Sequence, residues 1–116
     1  MVDYLLGLDA GNTVIKAILF DAGGGELAVA SRDGRSSMPA PGHVERDLDE
    51  LWANAVEVIR TCIGMSGVDA RQIRAVGCAG HGNGLYALDR TGAPLIGIQS
   101  LDVRGAAIAT AWLAAG

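Results

Sequence analysis

Residues 6–21, "LGLDAGNTVIKAILFD", constrain the fold more than any other stretch. Two apolar runs flank a polar, glycine-bearing tip, and a lone lysine stands in the second run. Residues 4–9, "YLLGLD", and 14–20, "VIKAILF", read as strands, with "AGNT" as a tight hairpin-like turn between them. After the glycine turn "DAGGGE", residues 27–32, "LAVASR", form a third strand and complete an opening antiparallel meander.

A meander needs a core, and the composition supplies one. Half of the 116 residues are apolar and only 19% are charged, which suits a globular domain and excludes disorder. The net charge of −4 and the absence of any lysine or arginine run argue against nucleic acid and anionic membranes as partners. No apolar stretch approaches the roughly 18 residues needed to span a bilayer, and Met1-Val2-Asp3 lacks the basic start of a secretory signal, so a cytoplasmic setting is expected. Cys62 and Cys78 sit in apolar surroundings without a CxxC pattern, which predicts buried free thiols. His43 and His81 are too few and too separated to suggest a metal site by spacing.

Beyond the meander, "DGRSSMPAPG" at 33–42 reads as a surface loop. A helix follows, with Asp47 and Glu50 as a capping-box-like start and Gly64 as its C-cap. Its apolar face takes Leu48, Leu51, Trp52, Ala55, Val56, Ile59, Cys62 and Ile63, leaving Asn54, Glu57, Arg60 and Thr61 wet. "IRAVGCA" at 73–79 is apolar on both faces, as a strand central in its sheet would be. "LYALD" and "LIGIQS" read as further strands around the turn "RTGAP", and Asp102 as the cap of a last helix running through Trp112. The order predicts an α/β fold with one mixed sheet layered by helices, and no internal repeat is visible. The ending "TAWLAAG" stops inside helical sequence, which suggests a piece of a larger domain.

Three stretches could carry chemistry. In the first, backbone amides of Gly11, Asn12 and Thr13 can wrap phosphate oxygens, with Asp9 placed at the rim to hold hydrated magnesium. A plain hairpin turn accounts for the same residues, and Lys16 suits either a phosphate contact or an extension into water. The stretch is neither a P-loop nor GxGxxG before a helix. In the second, "AGHGNG" at 79–84, glycines let backbone approach a ligand while His81 and Asn83 can bond hydroxyl groups; a bulged hairpin loop is the competing reading. In the third, "SLDVRG", Asp102 is a helix cap or a substrate-hydroxyl acceptor, and Arg104 an ion-pair partner for a nearby carboxylate.

Taken in order, these stretches resemble the amino-terminal part of the FGGY family of carbohydrate kinases. "LGLDAGNTVIKAILFD" is similar to the family's first phosphate motif, shared with actin and the heat-shock chaperones. "PGHVERDLDELW" is similar to its Glu-x-Asp segment and tryptophan-bearing helix, and "IRAVGCAGHGNGLYALDRTGAPL" to its strand, sugar-contacting loop and "LD-x-x-G-x-P-L" turn. The resemblance covers essentially the whole chain.

It implies a ribonuclease-H-like, actin-like ATPase fold, of which residues 1–116 are the truncated amino-terminal part of the first domain. It implies ATP-dependent phosphorylation of a pentulose-type sugar or polyol, with ATP and Mg2+ as cofactors. Position by position, Asp9 matches the metal-associated aspartate, and Gly11, Asn12 and Thr13 the phosphate turn, with Lys16 beside it. His81, Gly82 and Asn83 match the sugar loop, Asn83 standing where many xylulose kinases have a histidine, and Asp102 matches the aspartate of "W-x-D-x-R". Ser100 replaces that tryptophan and His81-Gly82-Asn83 the commoner Gln-Met-His, which predicts a smaller, more polar pocket nearer the L-xylulose and polyol kinase branch. The proton-accepting aspartate and the adenosine-binding domain are expected beyond Gly116, so the chain alone is expected to be inactive. A homo-oligomer is expected of the whole protein. The competing expectation is a non-catalytic sugar- or phosphate-binding module, or interaction module, of the actin-like superfamily.

Overall fold

The computed structural model describes residues 3–116. In chain order the strands and helices are β1 (Tyr4–Ala10), β2 (Val14–Asp21), β3 (Glu26–Asp33), β4 (Ser36–Ser37), β5 (Glu45–Arg46), α1 (Leu48–Ser66), β6 (Ile73–Gly80), β7 (Leu85–Leu88), β8 (Pro94–Ile98) and α2 (Ala106–Ala115). They divide between two compact units: the described residues up to Gly34 with Asp49–His81, and Arg35–Leu48 with Gly82–Gly116.

The first unit is built on the meander. Its sheet has the order β3-β2-β1-β6, antiparallel through β1–β2–β3, while β6 runs parallel to β1 after the intervening α1. Because side chains alternate along a strand, register decides which of them meet. Leu6 opposite Leu19 and Leu8 opposite Ala17 define one face; Leu5 opposite Phe20, Gly7 opposite Ile18 and Asp9 opposite Lys16 define the other. The first face becomes the core: Leu6, Ile15, Ala17, Leu19, Ala28 and Ala30 are buried together with Val58 and Cys62 of α1.

Three sequence expectations fail here for identifiable reasons. The helix buries Asn54, Val58 and Cys62, residues one turn apart, with Leu51 and Ile59 of the expected face packed against the core beside them; the buried stripe is thus offset from the expected one, and Trp52 is 73% exposed. Asn54 tolerates burial because its amide donates to Glu50 Oε1 one turn earlier (3.2 Å), and the Cys62 thiol donates to the Ala28 carbonyl (3.3 Å). The helix also passes Gly64 and ends at Ser66, whose hydroxyl donates to Ile63 O (2.7 Å) and accepts from Val68 N (3.1 Å), with Gly67 taking the left-handed conformation. Third, β6 stands at the end of its sheet order and not at its centre, so Cys78 is exposed where a buried thiol was expected; both cysteines are free.

The second unit holds its own antiparallel sheet, order β4-β5-β8-β7. The strands therefore fall into two sheets, not one, and the presumed loop at 33–42 contains β4. Gly97 marks the closest approach in this sheet: a Cβ there would lie 2.6 Å from the Arg46 carbonyl oxygen. Only glycine lets β8 pass β5 at that distance. Helix α2 begins at Ala106 after Gly105, with no side-chain cap, so Asp102 is not its cap.

Candidate functional site: the edge where two parallel strands end

In the first unit, β1 and β6 are parallel and in register, with Asp9 beside Ala79 and Ala10 beside Gly80. Their carboxyl ends therefore open on one edge of the sheet, and the residues that follow, Gly11–Thr13 after β1 and His81 after β6, emerge there together. That is where open α/β sheets place ligands. The tip is constrained from within: the Gly11 amide donates to the Val14 carbonyl (3.0 Å), and the Gly34 amide donates to the Thr13 carbonyl (2.7 Å). The Gly11 amide is thus spent on closing the turn. Asn12 is half-buried and Thr13 exposed.

Asp9 and Lys16 are cross-strand partners on the face opposite the core, and both are exposed. A carboxylate and an ammonium beside a turn of amides form a mixed-charge rim suited to a metal-bound phosphate group. Among the described residues no group of three or more His, Cys, Asp or Glu could hold a metal ion by itself. An exposed single carboxylate fits magnesium nonetheless, because that ion keeps several waters and completes its shell with phosphate oxygens.

Gly82 and Asn83 belong to the second unit, and both are exposed. Asn83 adopts φ 62°, the left-handed region that asparagine enters more readily than other side-chain-bearing residues. Asp102 is differently placed. Its side chain is 2% exposed. Oδ1 accepts from the Arg104 amide (2.9 Å) and Arg104 Nε (2.9 Å), while Oδ2 accepts from the Val44 amide (2.7 Å) and Arg104 Nη2 (2.7 Å). Arg104 Nη2 also reaches Glu45 Oε1 (2.8 Å). The Arg104 side chain and these amides hold the Asp102 carboxyl well below the usual carboxylate range, and the two carboxylates raise Arg104 in turn. The expected ion pairing of Arg104 is present; that Glu45 shares it was not read from the sequence, where Glu45 stood out only as part of "ERD".

The family model described as "FGGY family of carbohydrate kinases, N-terminal domain" matches residues 4–116. The chain belongs to the FGGY family. Its fold is accordingly that of a partial amino-terminal domain of the ribonuclease-H-like, actin-like ATPase class. FGGY relatives include an "L-xylulose/3-keto-L-gulonate kinase" of Escherichia coli, 40% identical over 113 residues that cover 97% of this chain and 23% of the relative. A "Probable L-xylulose kinase" of Haemophilus influenzae is 39% identical over 110 residues, covering 94% of this chain and 23% of that one. Among solved FGGY structures, the xylulose kinase of Rhodospirillum rubrum superposes with a TM-score of 0.85 at 30% identity, over 97% of this chain and 23% of the other. The chain thus spans about a quarter of the length of the relatives it matches. No helix among the described residues is long and apolar enough to cross a membrane.

Proposed function

We propose that the protein carrying these residues phosphorylates a pentulose-type sugar or polyol with ATP, and that this chain supplies the first phosphate turn and part of the sugar site. The observation that carries the reading is the shared edge in the first unit, where the Gly11–Thr13 turn and His81 emerge side by side above Asp9 and Lys16. In this reading the Asn12 and Thr13 amides hold oxygens of the transferring phosphoryl group, Gly11 keeps the turn tight, and Lys16 offsets negative charge. Asp9 holds the magnesium, which neutralises phosphate charge when bound. His81 and Asn83 bond sugar hydroxyls, and Gly82 lets the backbone come close. Two relatives named as L-xylulose kinases at 39% and 40% identity support a pentulose as acceptor. A homo-oligomeric assembly and a cytoplasmic setting belong to the same proposal.

The test is an NMR titration of the chain. Magnesium pyrophosphate should move the amide signals of Asn12 and Thr13, and L-xylulose those of His81 and Asn83. Asp9→Asn should remove the magnesium dependence of the first effect while leaving the second. Pyrophosphate shifts scattered over the surface, or none near the turn, would overturn the phosphate role. With ATP, magnesium and a panel of ketopentoses and polyols, the 116 residues alone should give no ADP above background.

A further inference from the structure

An ionised carboxylate is acceptor-only, with about four lone-pair sites. At Asp102 four donors fill them: two backbone amides, from Val44 and Arg104, and two guanidinium nitrogens of Arg104, all within 2.9 Å. No acceptor site is left for a substrate hydroxyl, and the carboxylate is almost fully enclosed.

The surrounding bonds show what those contacts do. The Gln99 amide donates to the Val44 carbonyl (3.0 Å), so Val44 gives its amide to Asp102 and takes an amide from Gln99. The side chain of Asp102 thereby stands in for a strand carbonyl and continues the β5–β8 pairing beyond its last backbone register, Glu45 opposite Ile98. The Val103 amide donates to the Gly42 carbonyl (2.9 Å), and Gly42 has φ 77°, with its would-be Cβ 2.7 Å from Val103 Cγ2. Gln99, 1% exposed, accepts from the Ser36 hydroxyl (2.7 Å). The bend 99–104 is therefore tied to segment 42–46 at both ends.

We propose that Asp102 is a positioning residue: with Arg104 and Glu45 it forms a clasp that sets the 99–104 bend, and it does not accept a hydroxyl from the sugar. The part of this that concerns sugar affinity rests on the kinase reading; the clasp itself does not. Ser100 and Leu101, lying between the two anchors, are the residues whose placement the clasp decides.

The experiment pairs amide hydrogen exchange with calorimetry on the 116-residue chain. Asp102→Ala and Arg104→Ala should each speed exchange at Val44 by roughly tenfold or more, with Leu6 in the other unit unchanged. Glu45→Ala should act in the same direction, and Glu45→Gln, which keeps an acceptor for Arg104, should restore the wild-type rate. For L-xylulose binding, Asp102→Asn and Arg104→Gln should weaken affinity by similar factors, and the double variant should be no weaker than the worse single one. The positioning role is overturned if Asp102→Asn alone weakens sugar binding while Val44 exchange and the Arg104 variants stay at wild-type values. If wild type binds no sugar, the kinase reading fails by itself, and exchange at Val44 still decides the clasp.

Discussion

Asp102 makes a stability claim at the scale of one carboxyl group. Its folded-state pKa lies below the ordinary aspartate value of about 3.9, chiefly because the Arg104 side chain bonds the charged form. A depressed pKa contributes stability that is complete above the unfolded value and is lost as pH falls through the folded one. Urea unfolding at pH 7, 5, 4 and 3 should therefore show a wild-type advantage over Asp102→Asn that is constant at pH 7 and 5 and shrinks from pH 4 to 3. Parallel curves down to pH 3 would mean that the ion-paired form carries no stability. The Asn variant should keep some acid sensitivity, because the Thr91 hydroxyl and the Ala93 and Thr91 amides also depress Asp89. Residue types in "SLDVRG" allowed a cap, a ligand or an ion pair; sequence spacing contains nothing about Val44 and Glu45, nearly sixty positions away, and so could not choose among them.

At the scale of elements, the β1–β2 hairpin was legible because its signal is local: two period-2 runs and a polar tip fix both strands and their partners. The face of α1 was less so. Apolar spacing there marks a broad stripe, and which part of it is buried depends on Ala28 and Ala30 of β3 meeting Val58 and Cys62. β6 misled for a related reason, since apolar residues on both faces do not reveal how many neighbours a strand has. The Gly97 contact was invisible in sequence, being a distance between β5 and β8. It yields a comparison of two kinds of damage. Leu19→Ala, which empties a fully buried site in β2, should cost about 2–5 kcal/mol by cavity formation. Gly97→Ala should cost roughly 1–3 kcal/mol by pushing β8 from the Arg46 carbonyl. Denaturant midpoints rank the two, and NMR shift changes locate them: around α1 for Leu19→Ala, along β5 and β8 for Gly97→Ala. A Gly97→Ala protein with unperturbed β5 shifts would show that the backbone approach is looser than 2.6 Å implies.

At the scale of the molecule, the two units are held by different forces. Every buried apolar side chain among the described residues (Leu6, Ile15, Ala17, Leu19, Ala28, Ala30, Val58 and Cys62) lies in the first unit. The second unit buries Arg46 and Gln99 and is tied by the Asp102–Arg104–Glu45 cluster and the Ser36–Gln99 bond, while Trp112 and Leu113 of α2 are 75% and 84% exposed. Apolar burial in the first unit is insensitive to screening by salt, whereas ion pairs near the surface lose strength as the Debye length shrinks from about 10 Å at 0.1 M to 3 Å at 1 M. Amide exchange should therefore be slowest in β1 and β2 and markedly faster in β7 and β8 at low salt. Raising sodium chloride from 0.1 to 1 M should speed exchange at Val44 and Gln99 further while leaving Leu6 and Leu19 unchanged or slower. Uniform protection across both sheets, or an equal salt response in both, would mean that the units open as one and that the polar ties contribute no separate stability.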